Sequence, residues 1–132
     1  MAIKNVTIIG AGTMGSGIAQ VCAQAGWKTT LYDAFPEGLA KGLYNIEAFW
    51  DKGIAKGKTS AEQKNNWSRN LQSQLNLSTA LQDADLVIEA VPERLELKQE
   101  VFKKVELYTS KQTIFATNPS SLSIAQIAEV LE

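Results

Sequence analysis

The chain has 132 residues, 45% of them hydrophobic, with 13 Lys+Arg against 14 Asp+Glu and a formal net charge of −1. That length suits one domain with its own core, by the usual span of about 100–200 residues per domain, and the balanced charge argues against a nucleic-acid partner. There is no histidine, which removes the commonest general base and zinc ligand, so no metal site is expected.

The single cysteine, Cys22, allows no internal disulfide, and a reducing cytoplasm is the natural compartment. No stretch approaches the ~20 apolar residues of a membrane span, and no charged leader precedes a long apolar run.

Ile3 to Ile9 reads as the first strand. Its run Val6-Thr7-Ile8-Ile9 suits a central strand covered on both faces. Gly10-Ala11-Gly12-Thr13-Met14-Gly15 follows and opens a periodic stretch from Met14 to Ala25 that carries Ile18, Val21 and Cys22 on one stripe. Gly26 is placed to end that helix. Cys22 reads as a small core residue. A strand, a GxGxxG turn and a helix form a phosphate cradle with distinct glycine roles. Gly10 allows the sharp turn, Gly12 lets a pyrophosphate approach the backbone, and Gly15 lets the helix pack against the strand. The first-turn N–H groups and the helix dipole favour phosphate charge.

Lys28-Thr29-Thr30-Leu31-Tyr32 is the second strand and ends at Asp33, 21 residues beyond Gly12. A dinucleotide fold places there the carboxylate that holds the adenosine ribose hydroxyls. Asp33 therefore favours NAD over NADP. No arginine follows it to receive a 2′-phosphate, since Ala34 and Phe35 come next.

From Pro36 to about Lys52 a long helix is expected, with Leu39, Leu43, Ile46, Trp50 and Ile54 on one stripe. Gly53 to Lys58 reads as a loop. Thr59-Ser60-Ala61-Glu62 has capping-box spacing for a second helix carrying Trp67 and Leu71. The two helices make a hairpin inserted after the second strand, with Trp50 and Trp67 packed inside it. Leu75-Asn76-Leu77 reads as a weak third strand, and Thr79 to Gln82 as the capping box of a short helix.

Asp85 to Val91 is the fourth strand, whose end at Pro92-Glu93 should open beside the glycine loop. Leu97, Val101, Phe102, Val105 and Tyr108 mark the next helix, supported by Glu100 and Lys104. Thr113 to Thr117 is a fifth strand, followed by Asn118-Pro119-Ser120-Ser121 and a helix capped at Ser123. The alternation predicts an α/β fold: a Rossmann, doubly wound parallel sheet in the order 3-2-1-4-5 within one dinucleotide-binding domain, residues 1–132. Gly10, Ala11, Gly12, Thr13, Met14, Gly15, Asp33, Ala90, Val91 and Asn118 are the candidate cofactor residues.

At this point the sequence resembles the 3-hydroxyacyl-CoA dehydrogenase family, through GAGTMGSGIAQ at 10–20, LYD at 31–33, DLVIEAVPERLELKQEVF at 85–102 and TNPSSLSI at 117–124. The match is to the family's N-terminal, NAD-binding part. The resemblance implies hydride transfer between NAD and the C3 carbon of an acyl-CoA thioester. It implies Glu93 and Lys98 on the nicotinamide-ribose side, Ser120 at the reacting oxygen and Lys56 near the CoA portion. Pro119 stands where the family usually has Thr, which removes an N–H and restrains Asn118. The family's catalytic histidine, the sheet strand that would cover the fifth, and the substrate-binding, dimerising domain are expected beyond Glu132. A 132-residue chain is accordingly expected to be inactive alone, and to self-associate through the uncovered edge of its fifth strand. Gulonate dehydrogenases and lambda-crystallins share the VPE and LELK elements and form an alternative. A stand-alone NAD-binding module without chemistry is another.

Overall fold

A computed structural model describes residues 3–90, 95–109 and 112–116, with no side-chain placement for 95–99 and 102. Five parallel strands form one sheet in the order β3-β2-β1-β4-β5. The strands are β1 (Asn5–Ile9), β2 (Lys28–Tyr32), β3 (Leu71–Gln74), β4 (Leu86–Glu89) and β5 (Ile114–Ala116); between them lie α1 (Thr13–Gln24), α2 (Pro36–Ala55), α3 (Ala61–Arg69), α4 (Leu77–Leu81) and α5 (Leu95–Tyr108). This is the expected Rossmann order, with the expected helical hairpin after β2.

β1 is the centre of the sheet. Val6 to Ile9 pair with Thr29 to Tyr32 on one side and with Leu86 to Glu89 on the other. Strand residues alternate between faces, and both faces of β1 are buried. Val6 and Ile8 join Ile18, Cys22, Leu31, Ile46 and Trp50 in the larger core; Ile9 joins Leu81, Val87, Val101 and Val105 in the second. Thr7, the polar residue of the run, is buried and its hydroxyl donates to the Ala80 carbonyl at 2.6 Å, which satisfies a group that would otherwise be costly to bury.

The hairpin packs on α1. Trp50 is 1% exposed, its ring lies 5.7 Å from that of Trp67, and its indole N–H donates to Gln24 Oε1 at 2.9 Å. Lys64 on α3 closes the outer side on Asp51 of α2 at 2.7 Å.

Four local expectations are corrected. The third strand is Leu71–Gln74, not Leu75-Asn76-Leu77. Leu71 therefore belongs to β3 and not to the stripe of α3. β3 is half exposed and reads Leu-Gln-Ser-Gln, so it lacks the apolar signal of a covered strand; backbone pairing to β2 from Thr29↔Leu71 to Tyr32↔Gln74 makes it a strand. Leu77 instead starts α4, because Asn76 Oδ1 accepts from the Thr79 N–H at 3.0 Å; the cap is Asn76, not Thr79. The capping box of α3 lies one residue later than expected, with Ser60 accepting from the Gln63 N–H and Gln63 returning to the Ser60 N–H. Finally, α2 continues through Ala55, so only Lys56 to Ser60 connect the hairpin. The helix expected from Ser123 lies outside the described residues. Among the described residues β5 pairs only with β4.

Cys22 is fully buried on α1, and burial pushes its thiol up to about 12. The native thiol should be inert to a bulky disulfide reagent at neutral pH and react only after unfolding. A raised folded pKa means that its contribution to stability is intact below the unfolded thiol value, about 8.5, and is lost as pH rises toward 12. Cys22→Ala should lessen the alkaline decline, with the share from Tyr32 remaining, as read by urea midpoints at pH 8 and pH 11.

Candidate functional site

The carboxyl ends of β1, β2 and β4 converge on one cleft. β1 turns at Gly10, whose φ of 107° is a conformation that a side chain would resist. Its N–H donates to the Tyr32 carbonyl at 2.8 Å and the Ala90 N–H donates to the Ile9 carbonyl at 2.7 Å. These two bonds extend the ladders just past the strands and set the loop at the strand-order reversal, where open α/β sheets bind ligands.

The three glycines differ as their spacing implies. A Cβ at Gly15 would overlap the Gly10 carbonyl oxygen, so α1 can approach β1 only without one. A Cβ at Gly12 would meet nothing within 4 Å. Gly12 is the N-cap of α1, no side chain caps that helix, and its first turn holds no acidic residue. That end of α1 therefore offers backbone donors and an uncompensated dipole to an anion. Ser16, buried one turn in, donates from its hydroxyl back to the Gly12 carbonyl at 2.7 Å and stiffens the loop.

Gly15→Ala should cost about 3 kcal/mol, the upper end of overpacking effects, because the obstructing atom is backbone and cannot rotate away. Gly12→Ala should leave the urea midpoint nearly unchanged and weaken binding of a pyrophosphate. Chemical denaturation and ligand titration of the two variants check the contrast.

Asp33 is half buried and bound into the loop from two sides. Oδ2 accepts from the Ala11 N–H and Oδ1 from the Phe35 N–H, both at 2.9 Å. Its carboxylate is thus positioned by the glycine turn on one side and the start of α2 on the other. Burial first, and then the charge of Asp33, push the neighbouring Tyr32 phenol upward. α2 itself presses on the turn: a Cβ at Gly42 would lie 2.7 Å from the Ala11 carbonyl oxygen, and one at Gly38 would lie 3.5 Å from the Asp33 carboxylate.

The cleft encloses about 600 Å³, and Gly10, Gly12, Thr13, Met14, Asp33 and Ala90 line it. Of the remaining loop residues, Ala11 and Gly15 are buried beneath it. Lys56 is the C-cap of α2, exposed, and does not line the cleft. Lys98 lies on α5 with its side chain undescribed. Val91, Glu93, Asn118 and Ser120 lie outside the described residues. The far wall holds residues that sequence reasoning did not assign to the site: Phe35, Leu77 of α4, and Glu100, Val101 and Lys104 of α5. The four-residue spacing of Gly38 and Gly42 was a readable signal for close packing of α2. No local signal connected Leu77 to the cleft. Among the described residues, no group of three or more His, Cys, Asp or Glu side chains could hold a metal, and no helix is long and apolar enough to cross a membrane.

The family model described as "3-hydroxyacyl-CoA dehydrogenase, NAD binding domain" matches residues 5–132. The chain is 40% identical over 126 residues to a 3-hydroxyadipyl-CoA dehydrogenase of Escherichia coli strain K12, covering 96% of this chain and 26% of that protein. It is 40% identical over 134 residues to a probable 3-hydroxybutyryl-CoA dehydrogenase of Bacillus subtilis strain 168, covering 98% and 45%. Among solved structures, a 3-hydroxybutyryl-CoA dehydrogenase from E. coli K12 superposes with a TM-score of 0.86 at 38% identity, over 96% of this chain and 27% of that one. The (S)-3-hydroxybutyryl-CoA dehydrogenase from Ralstonia eutropha gives 0.85 at 33%, over 98% and 45%. The chain thus spans less than half the length of these relatives. With the glycine turn, the acid at the end of β2 and a family match over residues 5–132, the chain belongs to the NAD-binding domain family of the 3-hydroxyacyl-CoA dehydrogenases.

Proposed function

We propose that the protein carrying this chain transfers a hydride between NAD and the C3 carbon of a 3-hydroxyacyl-CoA. The observation that carries the reading is the cleft: an uncapped helix start at Gly12 beside a carboxylate, Asp33, tied into the same loop. In this reading the pyrophosphate lies over Gly12 to Gly15 and the adenosine ribose hydroxyls donate to Asp33. Ala90, Val91, Glu93, Lys98 and Asn118 border the nicotinamide half, Ser120 hydrogen-bonds the reacting oxygen and Lys56 meets the CoA portion. NAD supplies the hydride acceptor; the residues of this chain bind and orient it. The gulonate and lambda-crystallin alternative is disfavoured by Asn118 and the Ser120-Ser121-Leu122-Ser123-Ile124 run, and by relatives named for acyl-CoA substrates.

Calorimetric titration tests the cofactor half. NAD should bind, and Gly12→Ala and Asp33→Ala should each weaken it; a wild-type protein that fails to bind NAD would sink the reading. NADH-linked absorbance with acetoacetyl-CoA tests the substrate half.

We also propose that the protein works as a homodimer in a reducing cytoplasm, which suits the free, buried Cys22 of this chain. For the 132-residue chain alone, the same reading extends to self-association through the β5 side of the sheet. Sedimentation at rising concentration should show dimer, and a monomer at all concentrations would count against it.

A further inference from the structure

We propose that Phe35 is the wall on which the adenine ring stacks, so that this chain grips the base as well as the ribose of its dinucleotide. The inference rests on the NAD reading above. Phe35 is held by the ribose-binding residue itself, since its N–H donates to Asp33 Oδ1 at 2.9 Å. A ribose that meets Asp33 places its base one sugar ring away in the same cleft, whose lining includes Ala34, Phe35, Leu77 and Val101, with Glu100 and Lys104 also present. The lining of the cleft is mostly apolar, which suits a planar heterocycle.

The two sides of this subsite differ. Val101 is buried in the second core, and Leu77 packs against it, so that side is fixed. Phe35 is 73% exposed and belongs to neither core cluster. It occupies the N-cap of α2 but makes no side-chain cap hydrogen bond, at a position where Ser, Thr, Asp or Asn would stabilise the helix. A large apolar ring that neither packs nor caps contributes little to the fold, yet it stands at the cleft. Stacking a base on an aromatic ring accounts for both facts. Alanine substitution at such a platform typically weakens binding about fivefold to a hundredfold.

The test is calorimetry on the intact protein with NAD, ADP-ribose and AMP. Phe35→Ala should raise all three dissociation constants by a similar factor, about tenfold. Phe35→Tyr should stay within about twofold of wild type, because it keeps the ring. In turnover assays the loss should fall on the KM for NAD with kcat unchanged, a split that a general structural defect would not give. Phe35→Leu keeps apolar bulk at the helix start and should still lose most of the affinity, which separates stacking from folding. Wild-type NAD binding with Phe35→Ala and Phe35→Leu both unchanged would overturn this assignment alone. Absence of NAD binding by the wild type would overturn the functional reading beneath it.

Discussion

A polypeptide of these 132 residues should oxidise 3-hydroxyacyl-CoA at least about 10²–10⁴-fold more slowly than its longer relatives, the contribution typical of a positioned general base. Hydride departure from C3 yields a carbonyl only if the hydroxyl proton also leaves. The chain contains no histidine, the base that the family resemblance implies. Ser120 can donate or accept a hydrogen bond but is a poor base at neutral pH without a partner. Lys98 falls at the cofactor ribose in the proposed arrangement. The chain also spans only 26–45% of the length of these relatives, so in this reading Ser120 and Lys56 are a part only of the groups that hold an acyl-CoA in a near-attack geometry. Absorbance at the NADH band with acetoacetyl-CoA checks the expectation against the B. subtilis relative. Comparable turnover would mean that the base lies within residues 1–132.

Asp33 should set cofactor choice by close to three decades. A carboxylate about 4 Å from a 2′-phosphate costs roughly 4 kcal/mol at an effective dielectric near 20, which corresponds to nearly a thousandfold in affinity. The position is rigid, because both carboxylate oxygens accept backbone N–H groups, from Ala11 and Phe35. The side chain cannot swing away to relieve the repulsion without leaving two donors unpaired. Asp33→Ala should therefore act twice. It removes the repulsion, so NADP binds more tightly; it removes the ribose acceptor and loosens the loop, so NAD binds more weakly. Asp33→Asn should fall between, since the amide oxygen can keep one of the two bonds while the charge is gone. Calorimetry with both cofactors reads the result, and equal wild-type affinities for NAD and NADP would refute the electrostatic account.

Much of this architecture was legible in the residues because several local signals agreed. The run Val6 to Ile9, the glycine turn, the stripe of Ile18 and Cys22, and Asp33 at the end of the next strand each support the same βαβ unit. The pairing of β1 with β2 and β4 follows from burial on both faces of a short apolar strand. The order of the sheet follows from crossover handedness, which is a property of the chain's chirality and not of this sequence in particular.

Elsewhere the tertiary structure decided. Leu-Gln-Ser-Gln has no strand pattern of its own; it is a strand because the edge of β2 offers it hydrogen bonds. Leu75-Asn76-Leu77 carries a strand-like alternation, yet Asn76 caps a helix there because its side chain satisfies the Thr79 N–H. The far wall of the cleft joins Phe35, Leu77 and Val101 from three separate elements, and no spacing rule connects them. The sequence by itself determined the glycine turn and the acid beside it, because those depend on a turn, a helix start and one crossover, all local in the chain. The edge strand and the cleft's second wall were decided only when distant segments packed, because their free energy comes from partners that the local sequence does not contain.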